Sequence, residues 1–214
     1  MKNIIFDLGN VLIKTDYEKI LEDFAKNEEE KEFIINNILG SPELNKCGLI
    51  NTGYITIEDT IKLINDRTNY KYEKLVENFL LNYIKYKTWN GDILDIIKKL
   101  KNNGYKVYLL SNISEYVFKE FKNELEHLLD GIVVSYEIHM IKPYNGIYEY
   151  IINKYNLNPE ESLFIDDTEK NIETANKLGI KGRKVKPADI DDIKLVLDEY
   201  GVKYDNILYN ILYM

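Results

Sequence analysis

Several polar positions in this chain stand just after a short apolar run. Asp7 follows Ile4-Ile5-Phe6, Ser111-Asn112 follow Val107-Tyr108-Leu109-Leu110, and Asp166-Asp167 follow Leu163-Phe164-Ile165. Lys142 lies in a loop, His139-Met140-Ile141-Lys142-Pro143, that comes after Ile132-Val133-Val134. If these runs are parallel strands, their carboxyl ends share one edge, where open α/β sheets build their sites. Asp7, Asp166 and Asp167 then form a carboxylate cluster. Like charges that close call for a cation, and three carboxylates suit Mg²⁺. Ser111 and Asn112 offer hydroxyl, amide and backbone donors, and Lys142 offers a fixed positive charge. Together these are the parts of a phosphate site. In such a site Asp7 can serve as a nucleophile, forming an aspartyl-phosphate and splitting the transfer into two steps.

Each part also has a plain structural reading. Asp166-Asp167 before a helix can be N-cap residues, Ser111-Asn112 a turn, and Lys142 a solvated surface lysine. His139 reads as positional and Cys47 as a packing residue. The joint occurrence at successive strand ends favours a site. A receiver domain also combines an acidic pair, a single Asp and a Lys, but it places the pair after the first strand. Here the single Asp comes first and the pair follows the lysine.

The elements that must position these residues are legible in outline. Ile4-Ile5-Phe6 is too short and too β-branched for a helix, and its unbroken apolar character reads as a buried parallel strand. Gly9 allows a sharp turn or a close approach to a ligand. From Lys14 to about Lys87 no buried strand is evident. Tyr17-Ile20-Leu21-Phe24, Phe33-Ile34-Ile38-Leu39 and Tyr72-Leu75-Val76-Phe79-Leu80-Tyr83 recur at helical spacing. Thr56 with Asp59 resembles a capping box. Leu44 to Asn51 is ambiguous. The strand–helix alternation resumes at Trp89. Asn90 and Ser114 are expected to cap helices, a helix is expected from about Asn171 to Leu178 with Gly179 as its stop, and a last short strand is expected near Lys184-Val185. A helix from about Ala188 to Tyr200 completes the pattern.

This predicts an α/β fold: a doubly wound, Rossmann-like parallel sheet core over residues 1–13 and 89–214, with an all-helical subdomain inserted at 14–88. That insertion point is at the carboxyl edge, where the block can cover a site. The apolar tail from Val202 to Met214 is open between packing on the body and pairing two copies as a homodimer.

Composition narrows the classes. The formal net charge of −8 over 214 residues argues against nucleic acid and anionic membrane as partners. No apolar run approaches the roughly 20 residues needed to span a bilayer. Asp7 interrupts the only signal-like segment, so a cytoplasmic location is expected. One cysteine and two histidines make a Cys/His zinc site improbable, which points to an oxygen-ligated metal.

The chain resembles the haloacid dehalogenase-like (HAD) hydrolase superfamily. Phe6-Asp7-Leu8-Gly9-Asn10-Val11-Leu12 resembles its first motif, Leu109-Leu110-Ser111-Asn112 the second, Lys142-Pro143 the third, and Phe164-Ile165-Asp166-Asp167 with Asn171 the fourth. The helical insert resembles the C1 cap of subfamily I. The Asp-Leu-Gly-Asn form, with Gly53-Tyr54-Ile55-Thr56, is similar to the sugar-phosphatase branch that includes α-D-glucose-1-phosphate phosphatase. The resemblance implies that Asp7 is nucleophile and Mg²⁺ ligand, that the Gly9 carbonyl is a further ligand, and that Asp167 binds directly and Asp166 directly or through water. It implies that Ser111, Asn112 and Lys142 hold the phosphoryl group, and that the partner is a small-molecule phosphate ester.

One departure stands out. Most phosphatases of that family carry a second Asp two residues after the nucleophile, which protonates the leaving group and then activates water. Here that position is Gly9. General acid–base help is typically worth about 10²–10⁴-fold. A cap residue or a polarised water can substitute, the substrate can carry a good leaving group, or turnover can be slow. The expected function is therefore a Mg²⁺-dependent phosphatase of a small metabolite, with sugar phosphates as candidates. The alternatives are a non-catalytic or slowly cycling phosphate-binding protein, and a 2-haloacid dehalogenase. A dehalogenase would need no metal, against which the paired Asp166-Asp167 argues.

Overall fold

The computed structural model describes residues 1–45 and 48–204. Its centre is β1 (Asn3–Phe6), buried along its whole length. β1 pairs in parallel with β4 (Lys106–Ser111) on one side and β6 (Ser162–Asp166) on the other, so that Phe6 lies opposite both Leu109 and Ile165. With β5 (Gly131–Val134) and β7 (Lys181–Lys184) the sheet has the order β5-β4-β1-β6-β7, and every pairing is parallel.

Alternation along the strands splits the core between two faces. Ile4, Phe6, Val107, Leu109, Leu163 and Ile165 pack with α5 (Ile93–Asn102), α6 (Glu115–Leu128) and α10 (Ile190–Glu199). Ile5, Tyr108, Leu110 and Phe164 pack with α8 (Asn145–Tyr155) and α9 (Glu169–Lys177). Burying a Val, Leu, Ile or Phe side chain contributes roughly 1.5–3 kcal/mol. Strands covered on both sides therefore read as continuous apolar runs. This is the doubly wound α/β sheet expected from the sequence.

Between β1 and β4 the chain forms α1 (Tyr17–Phe24), α2 (Glu28–Phe33) continuing as a π-helical stretch Ile34–Leu39, α3 (Ile57–Arg67) and α4 (Glu73–Asn82). Short 3-10 turns lie at Leu49–Thr52 and Tyr83–Tyr86. Thr56 and Asp59 form the reciprocal capping box. The segment is not purely helical. It is bracketed by β2 (Ile13–Thr15) and β3 (Lys87–Trp89), an antiparallel pair with Thr15 opposite Lys87. At three residues each, and only partly buried, they lack the apolar run that marks a strand.

Other local expectations shift. Asn90 does not cap α5; Asp92 holds that position. Asn90 is instead buried, and its amide donates to the Val11 carbonyl while its N–H donates to Leu12, tying the two crossings together. β7 precedes the expected position because its residues, Lys-Gly-Arg-Lys, form a polar edge strand. The helix expected from Asn171 begins at Glu169. Ser114 caps α6 as expected, and Gly179 follows α9 with φ +84°. Val202 is buried and Lys203 N–H donates to the Tyr105 hydroxyl. The rest of the apolar tail, from 205 on, and Cys47 lie outside the described residues. No described helix is long and apolar enough to cross a membrane.

The helical segment touches the sheet-bearing part at a second place. The Leu49–Thr52 turn meets α7 (Ser135–Ile138): Ser135 Oγ donates to the Asn51 carbonyl and His139 Nδ1 to the Thr52 carbonyl at 2.8 Å. The His139 ring stacks on Tyr54 with centroids 4.7 Å apart. Gly53 has φ +75°, and a Cβ there would run into the Tyr136 carbonyl. A Gly53→Ala change is expected to cost about 1–3 kcal/mol, read as a lower urea midpoint with an unchanged slope.

Candidate active site

Asp7 is the first residue past β1, and its N–H still donates to the Ile165 carbonyl at 2.9 Å, which fixes the carboxylate at the sheet edge. The chain then folds back: the N–H groups of Leu12 and Ile13 both donate to the Leu8 carbonyl, at 3.0 and 2.9 Å. The residue in left-handed conformation in this turn is Asn10, φ +58°, not Gly9. Gly9 is exposed, and a Cβ there would meet nothing within 4 Å.

The strand ends do converge. One oxygen each from Asp7, Asp166 and Asp167 lies within 4.8 Å of the others, and all three residues are buried. Lys142 enters the cluster from the loop after α7. Its Nζ donates to Asp7 Oδ1 at 2.8 Å, to Asp166 Oδ2 at 2.7 Å and to the Leu110 carbonyl at 2.9 Å. At 1% exposure it is far from the solvated lysine that composition alone favours. Its ammonium also lies 5.3 Å from the Phe164 ring centroid.

The neighbours saturate Asp166 first. Its Oδ1 accepts from the Thr168 N–H at 2.7 Å, and the Asn171 amide donates to both oxygens, at 3.0 and 2.9 Å. The acidic pair is not the N-cap of α9; Thr168 holds that position. Asp167 accepts from the Asn10 amide at 3.1 Å and the Thr168 hydroxyl at 3.0 Å. Ser111 ends β4 and lines the cavity in front of Asp7. Asn112 is tied to the backbone of Lys142 in both directions, donating to its carbonyl at 2.9 Å and accepting from its N–H at 2.7 Å. It thereby sets where the lysine enters.

Electrostatics follow from burial. Burial, with repulsion from Asp166 and Asp167, outweighs the pull of Lys142 and leaves the Asp7 carboxyl raised to about 6. For Lys142 burial acts to lower the value, but the charges of Asp166 and Asp7 outweigh it and hold the ammonium above its ordinary value. One ammonium cannot balance three carboxylates. The donor set is all oxygen, which fits a hard divalent cation.

A cavity of about 400 Å³ opens on Asp7, within the range of small-molecule sites. Its lining combines Gly9, Ser111, Asn112, Lys142 and Asp167 of the sheet-bearing part with Tyr17, Ile50, Tyr83 and Lys87 of the helical segment and its bracket. Thr168 and Lys87 carry no sequence pattern that marks them, and Asn10, inside the first motif, shows its bond to Asp167 only here. Asn171 falls in the fourth motif, but its hold on Asp166 is visible only here.

A family model for haloacid dehalogenase-like hydrolases matches residues 1–179. The chain belongs to this family. It is similar to D-ribitol-5-phosphate phosphatase of Bacteroides thetaiotaomicron, at 29% identity over 195 residues, covering 85% of this chain and 90% of the relative. It is also similar to phosphorylated carbohydrates phosphatase of Thermotoga maritima, at 21% over 189 residues and 85% and 83% coverage. A HAD family enzyme of Bacteroides thetaiotaomicron, solved with magnesium and inorganic phosphate, matches with TM-score 0.69 and 28% identity over 88% of this chain and 96% of that one. A dehalogenase at 17% identity and TM-score 0.67, covering 96% and 98%, shares the fold alone.

Removing one partner of a buried ion pair typically costs about 3–5 kcal/mol. Lys142→Ala is expected to destabilise the protein on that scale near pH 7.5, measured by urea unfolding in EDTA. Without the ammonium the carboxyl of Asp7 rises further above its unfolded value, so the folded variant binds more protons than the unfolded chain and gains stability as the pH falls. The deficit should shrink toward pH 5.

Proposed function

We propose that the protein is a Mg²⁺-dependent phosphatase of a small phosphorylated metabolite, with sugar phosphates as the leading class. The observation that carries this reading is Asp7, a buried carboxylate held by Lys142 and facing the cavity. The names of the Bacteroides and Thermotoga relatives, both carbohydrate-phosphate phosphatases, support the class.

In this reading Lys142 holds Asp7 Oδ1 and leaves Oδ2 to attack phosphorus. The new Oδ2–P bond forms as the ester P–O bond breaks, and the electron pair leaves with the organic oxygen. Water then attacks the aspartyl-phosphate at phosphorus, releasing phosphate and regenerating the carboxylate. Ser111 and Lys142 bind the phosphoryl oxygens, and Asn112 positions the lysine. Asp7, Asp167 and the Gly9 carbonyl would hold Mg²⁺ directly, and Asp166, whose oxygens already accept from Lys142, Asn171 and Thr168, would hold it through water. Mg²⁺, when bound, supplies charge that offsets the repulsion between these carboxylates and the phosphoryl oxygens. Residues 14–88 serve as a cap of the C1 kind, closing the cavity over the ester.

The test is a phosphate-ester panel that includes glucose 1-phosphate and ribitol 5-phosphate. Wild type is expected to turn over at least one compound with Mg²⁺ and to lose that activity in EDTA, while Asp7→Asn stays at background. Equal background rates for both proteins on every compound would sink the proposal.

Gly9 favours a second reading, a slowly cycling phosphate-binding protein, in which BeF₃⁻ binds tightly and no ester turns over. It also yields a gain-of-function prediction. The open space at position 9 accepts a side chain. Gly9→Asp should raise kcat on alkyl phosphates by about 10²-fold or more, and should scarcely change p-nitrophenyl phosphate, whose leaving group needs no proton.

A further inference from the structure

The cavity is lined by three lysines of different standing. Lys142 is balanced by Asp7 and Asp166. Lys170 is exposed on α9. Lys87, at the start of β3, is half-buried, and no carboxylate among the described residues pairs with it. Its Nζ donates to the Thr15 hydroxyl at 2.8 Å and lies 5.6 Å from the Tyr83 ring centroid. Burial alone brings its pKa down to about 8, with no charged neighbour contributing. Tyr83 is a neutral phenol that burial pushes further up. The same cavity is also lined by Ile13, Ile20, Ile50 and Val117, whose side chains offer no acceptor.

Charges withdrawn from water are normally paired. Among the described residues this ammonium has only a hydroxyl and a ring as partners, and it lines the cavity that must also hold the organic part of an ester bound at Asp7. We propose that Lys87 is a specificity-determining residue, and that the preferred substrate carries a second anionic group, a carboxylate or a further phosphate, on the leaving-group side of the ester. This rests on the phosphatase reading of Asp7 and narrows it, from phosphorylated metabolites in general to acid or bisphosphate ones. A neutral polyol phosphate would leave Lys87 with hydroxyl partners only.

The test compares esters matched in size: glycerol 3-phosphate, 3-phosphoglycerate and 2,3-bisphosphoglycerate, with Mg²⁺, on wild type, Lys87→Met and Lys87→Arg. Wild type is expected to favour the two anionic compounds in kcat/KM. Lys87→Met should lose that preference by about tenfold or more, the scale of one charge-assisted hydrogen bond. The loss should fall on KM, with glycerol 3-phosphate little changed, and Lys87→Arg should retain part of the preference. Equal losses on all three compounds, or a wild type indifferent to the second charge, would overturn the proposal. So would an equal weakening of inhibition by inorganic phosphate, which would put Lys87 on the transferred group. Calorimetric binding of the same compounds to Asp7→Asn separates the two readings. A preference for the anionic compounds that Lys87→Met abolishes supports the lysine contact even if no ester turns over, and the lack of any preference overturns it.

Discussion

The contact on which the rest depends is the ammonium of Lys142 set between Asp7 and Asp166 inside the protein. Three carboxylates gathered at the end of a buried sheet repel one another, and taking each out of water is unfavourable. A single internal cation lowers that burden but cannot remove it. The cluster stays electron-rich, which suits it to a divalent ion and, once that ion is present, to a phosphate. Asn171, Thr168 and Asn10 complete the arrangement by hydrogen bonding the carboxylates. The site is thus a charge balance first and an array of reactive groups second.

The sheet makes that balance possible. Parallel pairing of β1 with β4 and β6 puts Asp7, Ser111 and Asp166 on one edge without further guidance. The loop that carries Lys142 leaves α7 and is fastened by the two-way hydrogen bonding with Asn112. Residues far apart in the chain become neighbours because the topology leaves their strand ends nowhere else to go.

That logic explains what the sequence disclosed. β1, β4 and β6 lie under helices on both sides, so they had to be written as apolar runs, and the polar residue closing each run stood out. The amphipathic helices announced themselves for the same reason. β7 is a polar edge strand, and β2 and β3 are three-residue ribbons; neither needs an apolar signature. Asn10 looked like an ordinary neighbour of Gly9, yet it takes the left-handed turn itself. Asn112 reads in the sequence as a donor to the phosphoryl group, and the tie between its side-chain amide and the Lys142 backbone is visible only in the fold. Lys87 is one of many lysines in the sequence, and only folding shows that it lines the cavity with no carboxylate paired to it among the described residues. Pairwise tertiary relations of this kind leave no periodic trace along the chain.

The β2–β3 ribbon has a mechanical corollary. The chain leaves the sheet edge through Ile13–Thr15 and returns through Lys87–Trp89, and the two passages are stitched to each other. The segment strung between them is thereby tied at both ends to one ribbon, and it shares its apolar core with the sheet and meets α6 where the Tyr116 hydroxyl donates to the Leu81 carbonyl. A further tie lies where the Leu49–Thr52 turn meets α7. Lys87 opens the returning passage, so the same ribbon that ties the segment's ends also fixes where its ammonium reaches the cavity.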